Sequence, residues 1–505
     1  MTGFVCIHGH FYQPPRENPW LDEIEVQASA FPYRDWNDRI AVECYAPNMA
    51  ASVLGPDQQV IETLNNYAQI SFDFGPTLLS WLECRRPDVL GAIVRADRDS
   101  RRRYSGHGSA MAQVFNHMIA PLASRRDLLT QVRWGMSDFR HRFGREPEGM
   151  WLPETAVDLA TLEVLAGEGI RFTVLAPHQA ARIRPCHGEG AWQPVPDGSI
   201  DTTRAYLCRL PSGRTISLFF YNAAVAAEVA FGELLKSGFR LADRLVESLA
   251  GSTGGLAHLA TDGETYGHHH RFGEMALARC LHSLAARDGI RLTNYGEFLE
   301  LRPAEWEVEV AENTAWSCAH GVERWRSDCG CHTGGKPGWN QAWRAPLRQA
   351  MLWLRDQLDP LFESEGSRFL LEPWQARDEF VTLLLDPSPS RHTHYWQAQG
   401  RAGLSQSDRE KALQLLAMQR HMLLSHTSCG WFFSEISGVE TIQIMSYAAR
   451  AIELAEPWLG DQLERGYLDR LREAPSNIYQ DGAEVYRRFV LPGRGGSERR
   501  FPPAS

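Results

Sequence analysis

Through the first 300 residues, short runs rich in β-branched and aromatic side chains alternate with stretches of helical periodicity. Residues 3–8 (GFVCIH), 149–152, 170–176 (IRFTVLA), 215–221 (TISLFFY), 256–261 and 290–294 read as strands. Between them, apolar positions recur at helical spacing over 125–143, 157–168, 240–250 and 274–287. This alternation predicts a parallel sheet with crossover helices, closed as a barrel or opened as a doubly wound layer. A barrel is expected, because neither a G-x-G-x-x-G after the first strand nor a P-loop is present. From about residue 302 strand signals almost vanish, and 347–358, 409–424, 440–455 and 462–472 read as helices. The expected organisation is an α/β barrel over 1–301 and a mainly α-helical C-terminal domain over 302–490 that contributes to the cleft. The Pro-, Gly- and Arg-rich tail over 491–505 is expected to be disordered.

Composition narrows the function. Hydrophobic residues make up 43% and charged residues 23% of the 505, which excludes global disorder. A formal net charge of −10 argues against a nucleic-acid partner. No apolar run approaches the roughly 18 residues of a membrane helix, so no membrane partner is expected. The first residues lack the basic and apolar regions of a signal peptide. With ten cysteines, this points to a reducing, cytoplasmic setting. Sixteen tryptophans, many beside polar turns, suit stacking on sugar rings as well as core packing.

Four polar clusters follow predicted strands. They are His8-Gly9-His10 with Gln13-Pro14-Pro15-Arg16, then Trp151-Leu152-Pro153-Glu154, then Asn222, then Asp262-Gly263-Glu264 running on to His268-His269-His270. In a parallel β/α barrel the C-terminal strand ends share one face, so Glu154 and Asp262 can meet across one pocket. Two carboxyl groups with aromatic neighbours are what glycoside hydrolysis requires.

These motifs, in this order, resemble those of glycoside hydrolase family 57. The first is His8-Gly9-His10 with Gln13-Pro14, and the second is His117-Met118-Ile119-Ala120-Pro121-Leu122. The third is Trp151-Leu152-Pro153-Glu154, the fourth Asp262-Gly263-Glu264-Thr265-Tyr266-Gly267, and the fifth runs from Ala315-Trp316 through His320 to Trp325. The segment SCGWFFSEISGVETIQ is similar to a C-terminal domain fused to one subgroup of the family. The resemblance implies a (β/α)7 barrel that acts on α-glucans or oligosaccharides with retention, with Glu154 as nucleophile and Asp262 as acid/base. Hydrolysis, transfer and branching stay open, as does the oligomeric state. Two features depart from the family pattern. Phe11-Tyr12 lengthens the first loop, and Ala112-Gln113 stand where relatives often carry Glu.

Substrate contacts are expected from His8, His10, Gln13, His117, Trp151, Glu264, His268, Trp316, Trp325 and Trp431. Glu264 is expected to support Asp262, and the charge of Glu154 to raise the Asp262 pKa. No cofactor and no catalytic metal are expected. The rival readings are a metal-dependent carbohydrate hydrolase or deacetylase built on the histidines, and a barrel that binds carbohydrate without catalysis. Cys318, His320, Cys329, Cys331 and His332 hold enough soft and imidazole ligands for a structural zinc, but C-x-C is shorter than the usual spacing. Buried thiols are the preferred reading there.

Overall fold

The computed structural model describes residues 3–187 and 190–496. It divides into two compact units. One comprises Met1–Gln13, Ala30–Val114 and Phe139–Trp316; the other comprises Pro14–Ser29, Phe115–Asp138 and Ser317–Ser505.

In the first unit seven parallel strands follow one another around a ring. They are β1 (Gly3–Phe11), β2 (Ser71–Phe74), β3 (Ala110–Gln113), β4 (Met150–Trp151), β5 (Phe172–Leu175), β6 (Thr215–Phe220) and β7 (Leu256–Asp262). β1 lies between β2 and β7, with His10 opposite Asp73 on one side and Asp262 on the other. β2 pairs with β3, β3 with β4 (Gln113 opposite Trp151), and β5 with β6. Two thinner seams complete the ring. Gly149 bridges Phe172 between β4 and β5, and the Asn222 N–H donates to the His258 carbonyl at 2.9 Å beyond β6 and β7. The result is a (β/α)7 barrel, with a helical C-terminal region in the second unit.

The expected strands at 3–8, 149–152, 170–176, 215–221, 256–261 and 290–294 all appear, with shifted ends. β1 and β5–β7 read as apolar runs because both faces are covered. β2 (SFDF) and β3 (AMAQ) escape that reading, being four residues long and carrying Ser71, Asp73 and Gln113 inward. β6 also extends into a mixed sheet through Ala205–Arg209, Trp306–Val310, Ala180–Pro185 and Gln193–Pro194, in which the first two of these strands pair parallel and the other pairs are antiparallel. Because Trp306–Val310 is a strand there, the chain stays in the first unit to Trp316, beyond the expected boundary at 301.

The second unit is helical. Arg344–Gly366, Gln406–Leu424, Val439–Leu459 and Gln462–Leu471 contain all four helices expected from periodicity, the last ending one residue early at Leu471. Ser405 and Asp408 form a capping box at the start of the second of these. Arg377, 1% exposed, donates to Asp127 (2.9 Å), Gln419 (2.8 Å) and Thr130 (2.9 Å), so its buried charge is matched on several sides. Of the tail, Leu491–Gly496 is a 3-10 helix rather than disordered, since the Arg494 guanidinium pairs with Glu464; 497–505 lie outside the described residues. Among the described residues no helix is long and apolar enough to cross a membrane.

One glycine of the fourth motif has a clear steric reason. Gly267 sits at φ 140°, and a Cβ there would meet the Glu43 carbonyl oxygen at 2.4 Å. Gly267→Ala should therefore lower stability by roughly 1–3 kcal/mol or more. Gly289→Ala serves as the comparison, because Gly289 has φ 76° with open space around its Cβ and bears only the conformational cost. Thermal unfolding of both variants checks this, and equal small losses would refute the clash.

Candidate active site

The carboxyl ends of the strands gather the polar side chains of the first, third and fourth motifs. At their centre is Asp73 on β2, which is fully buried. Its Oδ1 meets His8 Nε2 at 3.0 Å and its Oδ2 meets His10 Nδ1 at 2.9 Å. Burial lowers the His8 pKa despite Asp73, so His8 is neutral and has one N–H. A carboxylate only accepts, which assigns that proton to Nε2 and makes Nδ1 the acceptor of the Ser71 hydroxyl at 3.0 Å. For His10, burial works against the charge. Asp73, with Asp262 and Glu264 behind it, outweighs burial and carries the pKa up to about 9. His10 is therefore the cation of the cluster at neutral pH.

Both imidazoles stack on Trp151, with ring centroids at 4.7 Å for His8 and 5.0 Å for His10. Trp316 stands edge-on to Trp151 at 5.2 Å and donates its indole N–H to Glu154 Oε2 at 2.9 Å. The Trp316 backbone N–H also reaches the Glu154 carbonyl at 3.0 Å. Glu154 lies in the turn Pro153–Thr155 after β4, in the left-handed region at φ 58°. A non-glycine residue held there is strained, a condition that clusters at functional sites. Three features hold it: Pro153 ahead of it, the Trp316 contacts, and Gln179, which donates to the Thr155 carbonyl at 2.8 Å.

Asp262 ends β7, open to solvent at a crevice walled by protein. Partial desolvation raises its pKa, the His10 charge opposes this, and Asp73 adds to it. Asp73 is thus a carboxylate that acts on Asp262. Glu264 is 5% exposed and is pushed up to about 7, mainly by burial. Its Oε1 accepts from the Tyr12 N–H at 3.0 Å and from the Tyr45 hydroxyl at 2.5 Å. It anchors the lengthened first loop at Tyr12. Asn48 fixes the same turn, donating to the Tyr266 carbonyl at 2.7 Å.

The remaining expected contacts divide. Gln13 is buried and donates to the Tyr12 carbonyl at 2.9 Å. His268 Nδ1 meets Glu43 at 2.5 Å, and Asn222 caps the helix Ala223–Ala230 through the Val225 N–H. His8 and Trp151 are fully buried and support the site from below. His117 belongs to the second unit, where its Nδ1 lies 2.7 Å from the Ser428 hydroxyl and its carbonyl accepts the Ser428 N–H. Motif two and the SCGWFF segment are thus joined within that unit. Trp325 and Trp431 also lie there at 0% exposure, and Trp431 donates to the Arg344 carbonyl. They pack the interior and present no ring face to a sugar, which corrects the subsite expectation for both.

Three residues of this site were not singled out as candidates. Asp73 was hidden by its four-residue strand, although a lone carboxylate in SFDF was the available signal. Tyr45 lies in an irregular helical stretch and gave none. Gln113 ends β3 with both amide atoms buried and without protein partners, a group that seeks water or a ligand. His8 directs its two ring nitrogens to Ser71 and Asp73.

Comparisons with known proteins agree with this fold. The chain is similar to an exo-type maltose-forming amylase from Pyrococcus sp. ST04, with 17% identity, a TM-score of 0.65, and coverage of 98% of this chain and 87% of that one. It is also similar to a GH57-type branching enzyme from Pyrococcus horikoshii, at 14% identity and TM-score 0.55, covering 100% of this chain and 98% of that one. An alpha-amylase from Thermotoga maritima matches at 12% identity and TM-score 0.55, covering 97% and 100%. A comparison with curated proteins gives no match. Residues 339–499 match a domain of unknown function, DUF3536. Residues 21–311, more than half of the chain, match glycosyl hydrolase family 57, and with the seven-stranded barrel and its ordered motifs the chain belongs to that family.

Proposed function

We propose that this protein is a retaining α-glucan enzyme, of hydrolytic, glucan-transferring or branching type, with Glu154 as nucleophile and Asp262 as acid/base. The observation that carries the reading is the contrast between the two carboxyl groups. Glu154 is fixed in a strained turn by the Trp316 indole, whereas desolvation favours the protonated form of Asp262 in an accessible crevice. Family membership and the amylase and branching activities named for similar structures support it. In the first step Glu154 attacks the anomeric carbon, the glycosidic bond breaks, and the Asp262 proton passes to the departing oxygen. In the second, water or a sugar hydroxyl attacks the glycosyl–Glu154 bond, gives its proton to Asp262 and releases Glu154. A reducing compartment suits the ten cysteines, which are all free of disulfides.

Incubation with maltooligosaccharides and with glycogen, followed by reducing ends and product linkage, tests the substrate class. Action on neither would remove the α-glucan reading. Glu154→Ala should lose all but a trace of turnover, and azide should restore reaction as a glycosyl azide of inverted configuration. Turnover near the native rate would sink the nucleophile assignment.

Asp262→Asn should slow substrates with poor leaving groups by a factor on the order of 10²–10⁴, and activated aryl glycosides far less in the first step. Because the Asp262 pKa is raised, its acid form persists further towards neutral pH, and its loss forms the basic limb of the rate profile. That limb should vanish in Asp262→Asn. If it persists with equal losses on both substrate types, another group is the acid.

Asp73→Asn tests the cluster beneath. His10 has its pKa raised from 6.5 to about 9, so its contribution to stability is full below pH 6.5 and is lost as pH rises towards 9. The variant should lose most of that slope, and the His10 imidazole should titrate well below its native value by NMR. An unchanged titration would show that Asp73 does not hold the His10 charge.

A further inference from the structure

Outside the barrel site, the second unit holds the one group of His, Cys, Asp and Glu side chains among the described residues whose ligand atoms converge closely enough for a single ion. Its members are Cys318, His320, Cys329 and Cys331, with all four ligand atoms within 4.8 Å of one another. Cys318 Sγ and Cys329 Sγ are 3.9 Å apart, and Cys331 Sγ lies 3.5 Å from His320 Nδ1. Zinc bonds of about 2.3 Å to sulfur and 2.0–2.1 Å to nitrogen, at tetrahedral angles, put two sulfurs about 3.8 Å apart and sulfur and nitrogen about 3.5 Å apart. The two observed separations fit those edges. A disulfide needs a sulfur–sulfur distance of about 2.05 Å, so the thiols are not arranged as a bridge. The spread is also too small for a two-iron cluster between the ligands.

The local chain is built for convergence. Cys329-Gly330-Cys331 is shorter than the usual two-residue spacing, but Gly330 adopts φ 80° and turns both thiols to one side. Gly321, at φ 85°, turns the chain just after His320. Backbone N–H groups of His320 and Arg324 point at the Cys318 sulfur, and that of Ala319 at the Cys331 sulfur. Such donors stabilise metal-bound thiolates. The Arg344 guanidinium holds the Cys331 carbonyl at 2.8 Å and the Phe433 carbonyl at 3.1 Å, fastening this loop to the helix Arg344–Gly366. Cys318 is buried while His320 is exposed, which gives an ion a path in from solvent.

We propose that Cys318, His320, Cys329 and Cys331 bind one zinc ion in a closed tetrahedral site that staples the irregular loop over 317–332. Three thiolates and one imidazole fill all four positions and leave none for water or substrate, so the ion is structural. His320 coordinates through Nδ1 and keeps its proton on Nε2.

The test uses the full chain purified under reducing conditions without added metal. Elemental analysis should find about one zinc per chain, and stripping with a strong chelator should lower the melting temperature. Cobalt(II) added to the stripped protein should give the intense visible bands of a tetrahedral thiolate site. In the zinc-loaded protein Cys329 and Cys331 should resist iodoacetamide, and after stripping they should react. Cys329→Ser/Cys331→Ser should lose the zinc, while Cys84→Ser, at an exposed cysteine elsewhere, should keep it. Failure of the stripped native chain to take up zinc or cobalt would overturn the proposal. So would stoichiometric iron in place of zinc, zinc retained by the double variant, or a disulfide among the four positions in the freshly purified protein.

Discussion

A carboxylate sealed inside the barrel governs the site. Asp73 has no access to water, and an isolated buried charge would cost several kcal/mol. It is tolerable because His10 carries a matching positive charge and neutral His8 donates a further hydrogen bond. The arrangement fixes both ring orientations, and the two rings fix Trp151 by stacking. Trp151 in turn sets the edge-on Trp316, whose N–H holds Glu154. One buried ion pair thus reaches the proposed nucleophile through four aromatic or imidazole rings.

The same cluster acts electrostatically on the other carboxyl group. Asp262 lies beside His10 on the neighbouring strand, so the cation tempers the pKa rise that partial desolvation and Asp73 produce. Glu264, two residues on, is more deeply buried and is raised to about 7, yet its oxygen is occupied by Tyr12 and Tyr45. Two acids with raised pKa values therefore have different tasks. The accessible one can meet a glycosidic oxygen, and the enclosed one braces the loop.

The second unit uses its aromatic and cationic side chains differently. Trp431 lies beneath the Arg348 guanidinium, 3.9 Å from the ring centroid, and Trp343 donates to the Ser434 carbonyl. These buried tryptophans show why tryptophan abundance is a poor guide to sugar subsites. A large ring with one donor suits a helical core as well as it suits a pyranose face.

Much of the architecture was legible in one dimension. Alternating apolar runs and helical periodicities disclosed four barrel strands apart from their exact ends, the short fourth in outline, and the principal helices, because double-sided burial leaves continuous apolar signals. Glu154 and Asp262 stood out because each follows such a run, and the ordered motifs named the family. What the pattern did not disclose was β2, β3 and Asp73, since four-residue strands carrying polar groups inward have no distinctive period. Nor did it separate Trp316, at the site, from Trp325 and Trp431, in a core. Burial and ring orientation depend on partners more than one hundred residues away, such as Glu154 for Trp316. For the cysteines, a spacing that looked too short became a convergent ligand set only once Gly330 turned the chain. Local chemistry was written in the residues, and only the tertiary structure decided which of them face one another.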